Sequence, residues 1–278
     1  MVLLPVLPTG GETRHRLMKR QFAEQYGRLE QWHWWFRGRQ RILEVVLCRE
    51  LTGRRSIFIA SLGCGPVEGL AWLKPLAGPQ GRVVGLDADP LHTRRLEPDL
   101  KYVIGRCEAA PLASGSFDLV LALDVLEHLD DDTAGLREAV RLLKPGGLLM
   151  VTVPALPSLW GGQDVVSHHR RRYTKRTLRQ VFARAQLSRP RIVYFNTLLF
   201  PPVAAVRWIR SALGLSHRPQ SDFDDNRPGL TNEVLATVFA LERYLVHRVP
   251  MPVGVSLLAT LRLSATETTS KAESRGKV

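Results

Sequence analysis

The amino-acid sequence predicts an α/β protein with a mostly parallel β-sheet and helices on both faces. Short apolar runs of strand character alternate with stretches of helical periodicity through the middle of the chain. One run, FDLVLALD, is almost entirely apolar, as expected of a strand that is buried on both faces. This alternation favours right-handed crossovers, which place successive strands parallel to each other.

Each predicted element has its own local signal. Asp131 or Asp132 caps a helix ahead of the fifth strand, and Thr174 caps another ahead of the sixth. The Lys-Pro-Gly-Gly segment at residues 144–147 ends the first of these helices. The predicted strands are, in chain order, SIFIASLG, RVVGLD, KYVIG, FDLVLALD, LLMVTVP, RIVYFN and VSLLATLRL.

We expect the chain to have three parts. Residues 1–52 form an N-terminal helical cap, because apolar residues recur at helical spacing from residue 13 onwards. Residues 53–263 form the α/β domain, with a helical insertion at residues 197–248. Residues 264–278 are polar and are expected to be a disordered tail.

Charge and cysteine content narrow the classes of partner. The 278 residues carry a net charge of +13, which favours nucleic acid, acidic lipid headgroups or a phosphorylated substrate. The three cysteines are far apart and lack metal-ligand spacing, so no metal site is predicted and reduced thiols in the cytoplasm are expected. The apolar stretches at residues 192–206 and 249–261 are too short to span a bilayer comfortably.

A glycine-containing turn follows the first predicted strand. Its residues, Gly63-Cys64-Gly65-Pro66, lead into a helix start, and glycines there let the backbone approach a ligand closely. Asp87 ends the second strand, roughly 20 residues further on, where an acid can accept hydrogen bonds from ribose hydroxyls. An ordinary tight turn, or a site for a nicotinamide dinucleotide, would show the same two features.

Four further motifs distinguish between these alternatives. Residues 108–112 are EAAPL, residues 115–120 are GSFDLV, residues 124–129 are DVLEHL, and residues 143–147 are LKPGG. In this order and spacing, residues 57–154 resemble the class I S-adenosylmethionine-dependent methyltransferases, in the branch called methyltransferase types 11 and 12. The resemblance implies a Rossmann-like fold with a seven-stranded sheet, S-adenosylmethionine as cofactor, and methyl transfer as the activity.

The resemblance also implies which residues bind the cofactor. The glycine loop would contact the methionine part, Asp87 the ribose, and Glu108 the adenine amino group. Asp124 and Val125 would line the methyl-donor pocket. The full set of matching positions is Gly63, Cys64, Gly65, Asp87, Ala88, Glu108, Ala109, Asp124 and Val125.

The sequence departs from the family pattern at two positions. Ser61 stands where the family usually has an acidic residue, and Val67 where it often has a third glycine. Either change could weaken cofactor binding, which leaves open a non-catalytic protein that retains the fold. Glu127 and His128 are interpreted as an acidic helix start rather than as site residues.

Two segments outside these motifs are candidates for the acceptor site. In QWHWWFRGR, at residues 31–39, most rings are expected to pack on the domain, while Trp34 and Arg37 face the substrate. The segment HHRRRYT resembles a His-x-Arg-Arg-Tyr-Thr motif of some bacterial methyltransferases, although a solvated basic loop would look the same. His169 is the candidate general base because imidazole titrates near neutrality. The predicted substrate contacts in this loop are His168, Arg171 and Tyr173.

We expect methyl transfer to a small-molecule or lipid-linked acceptor. The apolar, arginine-bearing helix within residues 195–213 favours an amphiphilic, anionic acceptor and leaves a peripheral position at a membrane open. A nucleic-acid methyltransferase is the alternative, favoured by the charge and the aromatic residues. A dinucleotide-dependent oxidoreductase fits less well, because the Lys-Pro-Gly-Gly segment would have no role in it.

Overall fold

The computed structural model describes Leu29 and residues 32–90, 100–216, 218, 221, 222 and 227–264, with only the backbone of Val67 and Glu68. Predictions for the start of the helical cap and for the C-terminal tail lie outside these residues. The described residues contain seven strands, which are β1 Phe58–Leu62, β2 Arg82–Asp87, β3 Leu100–Ile104, β4 Phe117–Leu123, β5 Leu143–Pro154, β6 Arg191–Phe195 and β7 Ser256–Arg262.

These strands form one sheet in the order β3-β2-β1-β4-β5-β7-β6. All neighbours pair in parallel except β7, which runs antiparallel to both β5 and β6. The predicted fold class, a mostly parallel seven-stranded sheet with flanking helices, is therefore confirmed. The order also contains a switch point, because the chain adds β2 and β3 on one side of β1 and then begins β4 on the other.

Helices cover both faces of the sheet. Asp131, one of the two predicted candidates, and Thr174 cap their helices, since their side chains accept hydrogen bonds from the Ala134 and Thr177 amides. The α-helices among the described residues are α1 Trp34–Glu50, α2 Lys74–Ala77, α3 Asp132–Leu142, α4 Gly162–Val166, α5 Lys175–Arg184, α6 Phe200–Ala212 and α7 Leu230–Leu241. None of the helices in the described part of the chain has the length and apolar content needed to cross a membrane.

The apolar core has two halves, one on each face of the sheet. Helices α3 and α5 cover the first face, and α1 and α7 cover the second. A Cβ atom on Gly38 of α1 would lie 2.4 Å from the Phe239 ring of α7, so the glycine lets these two helices approach closely. Helix α1 is thus packed into the domain and forms one wall above the carboxyl ends of the strands.

Three elements differ from their predicted form. The glycine turn leads into a 3-10 helix, Val67–Leu73, and α2 follows it with Pro75 in its first turn. Residues 144–147 lie within β5, which begins directly after α3. Within the predicted helical insertion, α7 is α-helical only to Leu241 and tightens into a 3-10 turn, Glu242–Tyr244.

Candidate functional site

A cavity of about 900 Å³ lies at the switch point, beyond the carboxyl ends of the parallel strands. Open α/β sheets bind their ligands in such crevices. The volume lies near the upper end of the usual range for ligand pockets, roughly 300–1,000 Å³. Its walls come from the glycine loop, the ends of β2 and β4, helices α1 and α6, and the loop that carries His168 and His169.

The glycine loop has the backbone that its sequence predicts. Gly63 and Gly65 have φ angles of +56° and +63°, which glycine adopts without steric cost. The Gly65 N–H donates to Asp87 Oδ2 and the Asp89 N–H donates to Asp87 Oδ1, both at 2.9 Å. A carboxylate has further acceptor positions, so Asp87 can hold the loop and still accept from ribose hydroxyls.

The surroundings of this loop fit S-adenosylmethionine. A Cβ atom at Gly65 would meet no other atom within 4 Å, so open space lies beside the loop. Ala88 and Glu108 line the same end of the cavity. Ala109 does not line the cavity, and its N–H donates to the Arg106 carbonyl at 3.2 Å, within a tight turn. The Ser61 side chain is buried in β1.

Asp124 and Val125 lie at the end of β4 and line the middle of the cavity. Asp124 has a φ of +56° and donates its N–H to the Thr152 carbonyl at 3.0 Å. Its carboxylate forms an ion pair with Arg39 of α1, whose guanidinium also lies 4.4 Å from the centre of the Trp35 ring. The sequence interpretation missed Arg39, although helical periodicity places it on the same face as Trp35.

The far end of the cavity contains a hydrogen-bonded Asp164–His169 pair. His169 Nδ1 lies 2.8 Å from Asp164 Oδ1, and Arg172 Nε donates to the same oxygen at 2.8 Å. Burial alone would raise the pKa of Asp164, but the bonds from His169 and Arg172 outweigh it and lower that pKa to about 2. The charged carboxylate fixes the His169 ring and its tautomer, leaving Nε2 for the other side.

Glu127 and His128 face this pair from the turn after β4. Both line the cavity, although the sequence suggested only a helix start, and α3 begins five residues beyond Glu127. Burial, followed by the charge of Asp124, raises the pKa of the Glu127 carboxyl well above its usual range. Loss of water around His128, together with the neighbouring His169, lowers the pKa of His128 to about 4. The His128 and His169 rings meet edge to face, with centroids 4.8 Å apart.

The predicted acceptor residues divide into two groups. Trp34 and His168 line the cavity. Arg37 instead pairs with Glu233 of α7. Arg171 does not line the cavity, and it donates to the Leu129 and Asp130 carbonyls at 3.0 and 3.2 Å.

Tyr173 is also placed outside the cavity. Its hydroxyl is buried 3.0 Å from Asp132 Oδ2 and 3.2 Å from the Leu126 carbonyl oxygen. Tyr173 and Arg171 therefore attach the loop to the start of α3.

Sequence reasoning also missed Arg207, a largely buried arginine of α6 that lines the cavity. It forms an ion pair with Asp222, and its Nη1 lies 3.6 Å from Asp164 Oδ2. A Cβ atom on Gly161 would lie 2.0 Å from Arg207 Nη1, so the glycine makes room for this side chain. The pattern of polar and apolar residues along α6 could have suggested a buried face. No neighbouring residue, however, indicated that acidic side chains would pair with Arg207.

Comparisons with known proteins agree with this arrangement. Residues 60–151 match the family model described as a methyltransferase domain. A protein of Mycolicibacterium smegmatis named probable S-adenosylmethionine-dependent methyltransferase is 31% identical over 135 residues, 48% of this chain and 50% of that protein. The malonyl-(acyl-carrier protein) O-methyltransferase of Enterobacter lignolyticus is 30% identical over 167 residues, 58% of this chain and 66% of that protein.

The fold has counterparts among solved structures. The methyltransferase in the complex with the Trm112 activator of Haloferax volcanii superposes with a TM-score of 0.53 at 20% identity, covering 88% of this chain and 94% of that one. The chain spans about half the length of several curated relatives that it matches. The matched family model and the motifs within it identify residues 60–151 as a class I S-adenosylmethionine-dependent methyltransferase domain.

Proposed function

We propose that this protein transfers a methyl group from S-adenosylmethionine to a small-molecule or lipid-linked acceptor. The observation that carries the proposal is one continuous cavity, which joins the glycine loop and Asp87 to the Asp164–His169 pair. Its volume, at the top of the range for single-ligand pockets, gives room for a cofactor and an acceptor side by side. Enclosing both in one cavity provides the alignment on which methyl transfer depends.

The cofactor would lie across the ends of β1, β2 and β4. Asp87 would accept from the ribose hydroxyls and Glu108 from the adenine amino group, with the Gly63–Gly65 backbone against the methionine part. When bound, S-adenosylmethionine supplies an activated methyl group on a sulfonium. The protein therefore needs mainly to orient the acceptor and to exclude water.

A hydroxyl acceptor also needs a group that takes its proton. His169 is the candidate base, because Asp164 accepts a hydrogen bond at Nδ1 and leaves the Nε2 lone pair available. The Enterobacter lignolyticus relative is named as an O-methyltransferase, which supports an oxygen acceptor here. Arg207, at the same end, offers a guanidinium to an anionic group of the acceptor.

The outer face of α6 supports an amphiphilic acceptor. Val206, Trp208, Ile209 and Leu213 are each more than half exposed, while Val203 and Arg207 of the same helix line the cavity. An apolar surface of this kind, on a strongly basic chain, suits an anionic lipid surface. An acceptor with an apolar portion could then reach the cavity along α6.

Calorimetric binding of S-adenosylhomocysteine tests the cofactor assignment. We expect wild-type protein to bind it, and Asp87→Ala to weaken binding at least tenfold, or about 1.4 kcal/mol, because the ribose acceptor is lost. Arg179→Ala, at an exposed position on α5, is the matched control and should bind as wild type does. Failure of a well-folded wild type to bind would contradict the proposal and turn attention to Ser61 and Val67.

A further inference from the structure

Glu127 is a buried carboxylate whose charge the protein leaves uncompensated by hydrogen bonds. Its side chain is fully buried, and neither Oε1 nor Oε2 has a hydrogen-bond partner among the residues that the structure describes. A buried carboxylate in this situation is strongly unfavourable unless it takes up a proton or meets a cation. The turn after β4 thus holds a buried acid that lacks a hydrogen-bond partner, and the charge of Arg172 offsets its burial only in part.

Two imidazoles converge on this acid. One ligand atom each of Glu127, His128 and His169 can be chosen so that all three lie within 4.8 Å of one another. His169 Nε2 is 4.0 Å from Glu127 Oε1. Since metal–ligand bonds are about 2.1 Å long, two ligands of one ion stand roughly 3–4 Å apart. The Glu127–His169 spacing already suits a shared ion, and the exposed His128 ring lies close enough to supply a third ligand.

The orientation of His169 follows a pattern seen in metal sites. A metal-binding histidine usually donates its second ring N–H to a carboxylate, which fixes the tautomer and directs the free nitrogen at the ion. Asp164 takes that position at 2.8 Å, and it is itself held by the Gly161 N–H at 2.8 Å and by Arg172. The His169 Nε2 atom is therefore directed toward Glu127 by a rigid support.

We propose that Glu127, His128 and His169 bind one divalent transition-metal ion at the acceptor end of the cavity. Two imidazoles and one carboxylate favour Zn²⁺, Mn²⁺ or Fe²⁺ over Mg²⁺ and Ca²⁺, which prefer oxygen ligands alone. The cysteine spacing gave no hint of this site, because its ligands come from two segments about 40 residues apart in the sequence and contain no thiol.

The role of the ion rests on the proposed function. All three ligands border the cavity, so an acceptor oxygen could reach the ion. A cation there would favour the ionised form of an acceptor hydroxyl, whose proton would pass to water, and the ionised oxygen would then bond to the methyl carbon as the sulfur–methyl bond breaks. His169 acts as the base only in the ion-free protein, since its Nε2 is a ligand when the ion is bound.

Calorimetric titration of tag-free, chelator-treated protein with ZnCl₂ and with MnCl₂ tests the site. We expect wild type to bind one ion per chain, and Glu127→Gln and His169→Ala each to weaken binding at least tenfold. Glu233→Gln, a surface acid on α7, is the control and should bind as wild type does. No ion binding to folded wild type, or binding that both site variants retain, would overturn the proposal.

Two further measurements separate a loss of metal binding from a loss of folding or of cofactor binding. The thermal midpoint of each variant without metal shows whether it folds, and the rise in midpoint on adding Zn²⁺ should be present in wild type and lost in Glu127→Gln. S-adenosylhomocysteine binding is measured on the same samples. Retained cofactor binding without ion binding would overturn the metal site alone, whereas loss of cofactor binding by wild type would instead count against the proposed function.

Discussion

The three cysteines differ in their access to solvent and to the cavity. Cys64 of the glycine loop and the buried Cys107 both line the cavity, whereas Cys48 is exposed on α1. Burial, followed by the charges of Asp87 and Glu108, raises the pKa of the Cys107 thiol to about 12. Because the thiolate is the reacting form, Cys107 should be inert at pH 8.

These differences predict a protection pattern that reports the cofactor position. During alkylation by iodoacetamide at pH 8, S-adenosylhomocysteine should slow modification of Cys64 about fivefold or more, because the ligand covers the loop. Cys48 should react equally with and without ligand, and Cys107 only after unfolding. Peptide mass spectrometry measures all three rates in one sample. Equal rates at Cys64 with and without ligand would mean that the ligand binds elsewhere.

Single residues also show how far sequence patterns reach. Arg37 and Arg39 lie two positions apart on α1, so they point to different sides of the helix. Arg37 meets Glu233 on α7, and Arg39 meets Asp124 at the cavity. The residue types of the segment predicted that Arg37 faces the substrate, whereas the packing of α1 places Arg39 beside the cavity-lining Asp124.

Helix α1 begins with an uncommon cap. His33 precedes its first residue, is almost fully buried, and accepts a hydrogen bond at Nδ1 from the Trp35 N–H at 3.2 Å. Burial lowers the pKa of His33 to about 4. Protonation would remove the acceptor and place a charge in the core, so the cap requires the neutral ring.

The cap therefore predicts a pH dependence of stability. Because the folded pKa lies below the unfolded value of about 6.5, His33 contributes stability that is present above that value and lost as the pH falls toward 4. Between pH 7.5 and pH 5, wild type should lose about 2 kcal/mol more unfolding free energy than His33→Asn, which keeps a capping side chain. Urea unfolding at both pH values measures the difference. Equal losses of unfolding free energy in the two proteins would show that His33 does not cause the pH dependence.

Elements with strong local signals were predictable from the sequence. Strand β2 coincides with the predicted run, and the caps of α3 and α5 are the predicted Asp131 and Thr174. The turn after β4 was interpreted wrongly as a helix start, because an acidic residue near a helix N-terminus looks the same wherever its side chain points. Its direction depends on the loop after β5, which lies about 40 residues away.

Charge and apolar surface combine at the scale of the whole molecule. The chain has a net charge of +13, and helix α6 has an exposed apolar face. We expect wild type to co-sediment with anionic liposomes at low salt, and to bind them less as salt screens the attraction. Replacing both Trp208 and Ile209 by serine should reduce binding about tenfold, because apolar insertion is lost.

The control for this experiment lies in the edge strand β3. Ile104 is about as exposed as Trp208, so Ile104→Ser removes one exposed apolar side chain outside α6. It should bind liposomes as wild type does. Equal loss in both variants would indicate non-specific adhesion, and a wild type that stays in the supernatant at low salt would remove the membrane interpretation.

The sequence by itself determined the strands, the caps, the parallel architecture and the conformation of the glycine loop, because each signal lies within a few neighbouring residues. Only the tertiary structure brought Arg39 to Asp124, 85 positions away, and joined Glu127, His128, Asp164, His169 and Arg207 around one end of the cavity. These contacts depend on how crossovers and helix packing bring distant segments together at the carboxyl ends of the strands. Helical and strand periodicities specify which face of an element is buried, but they do not specify which partner it meets.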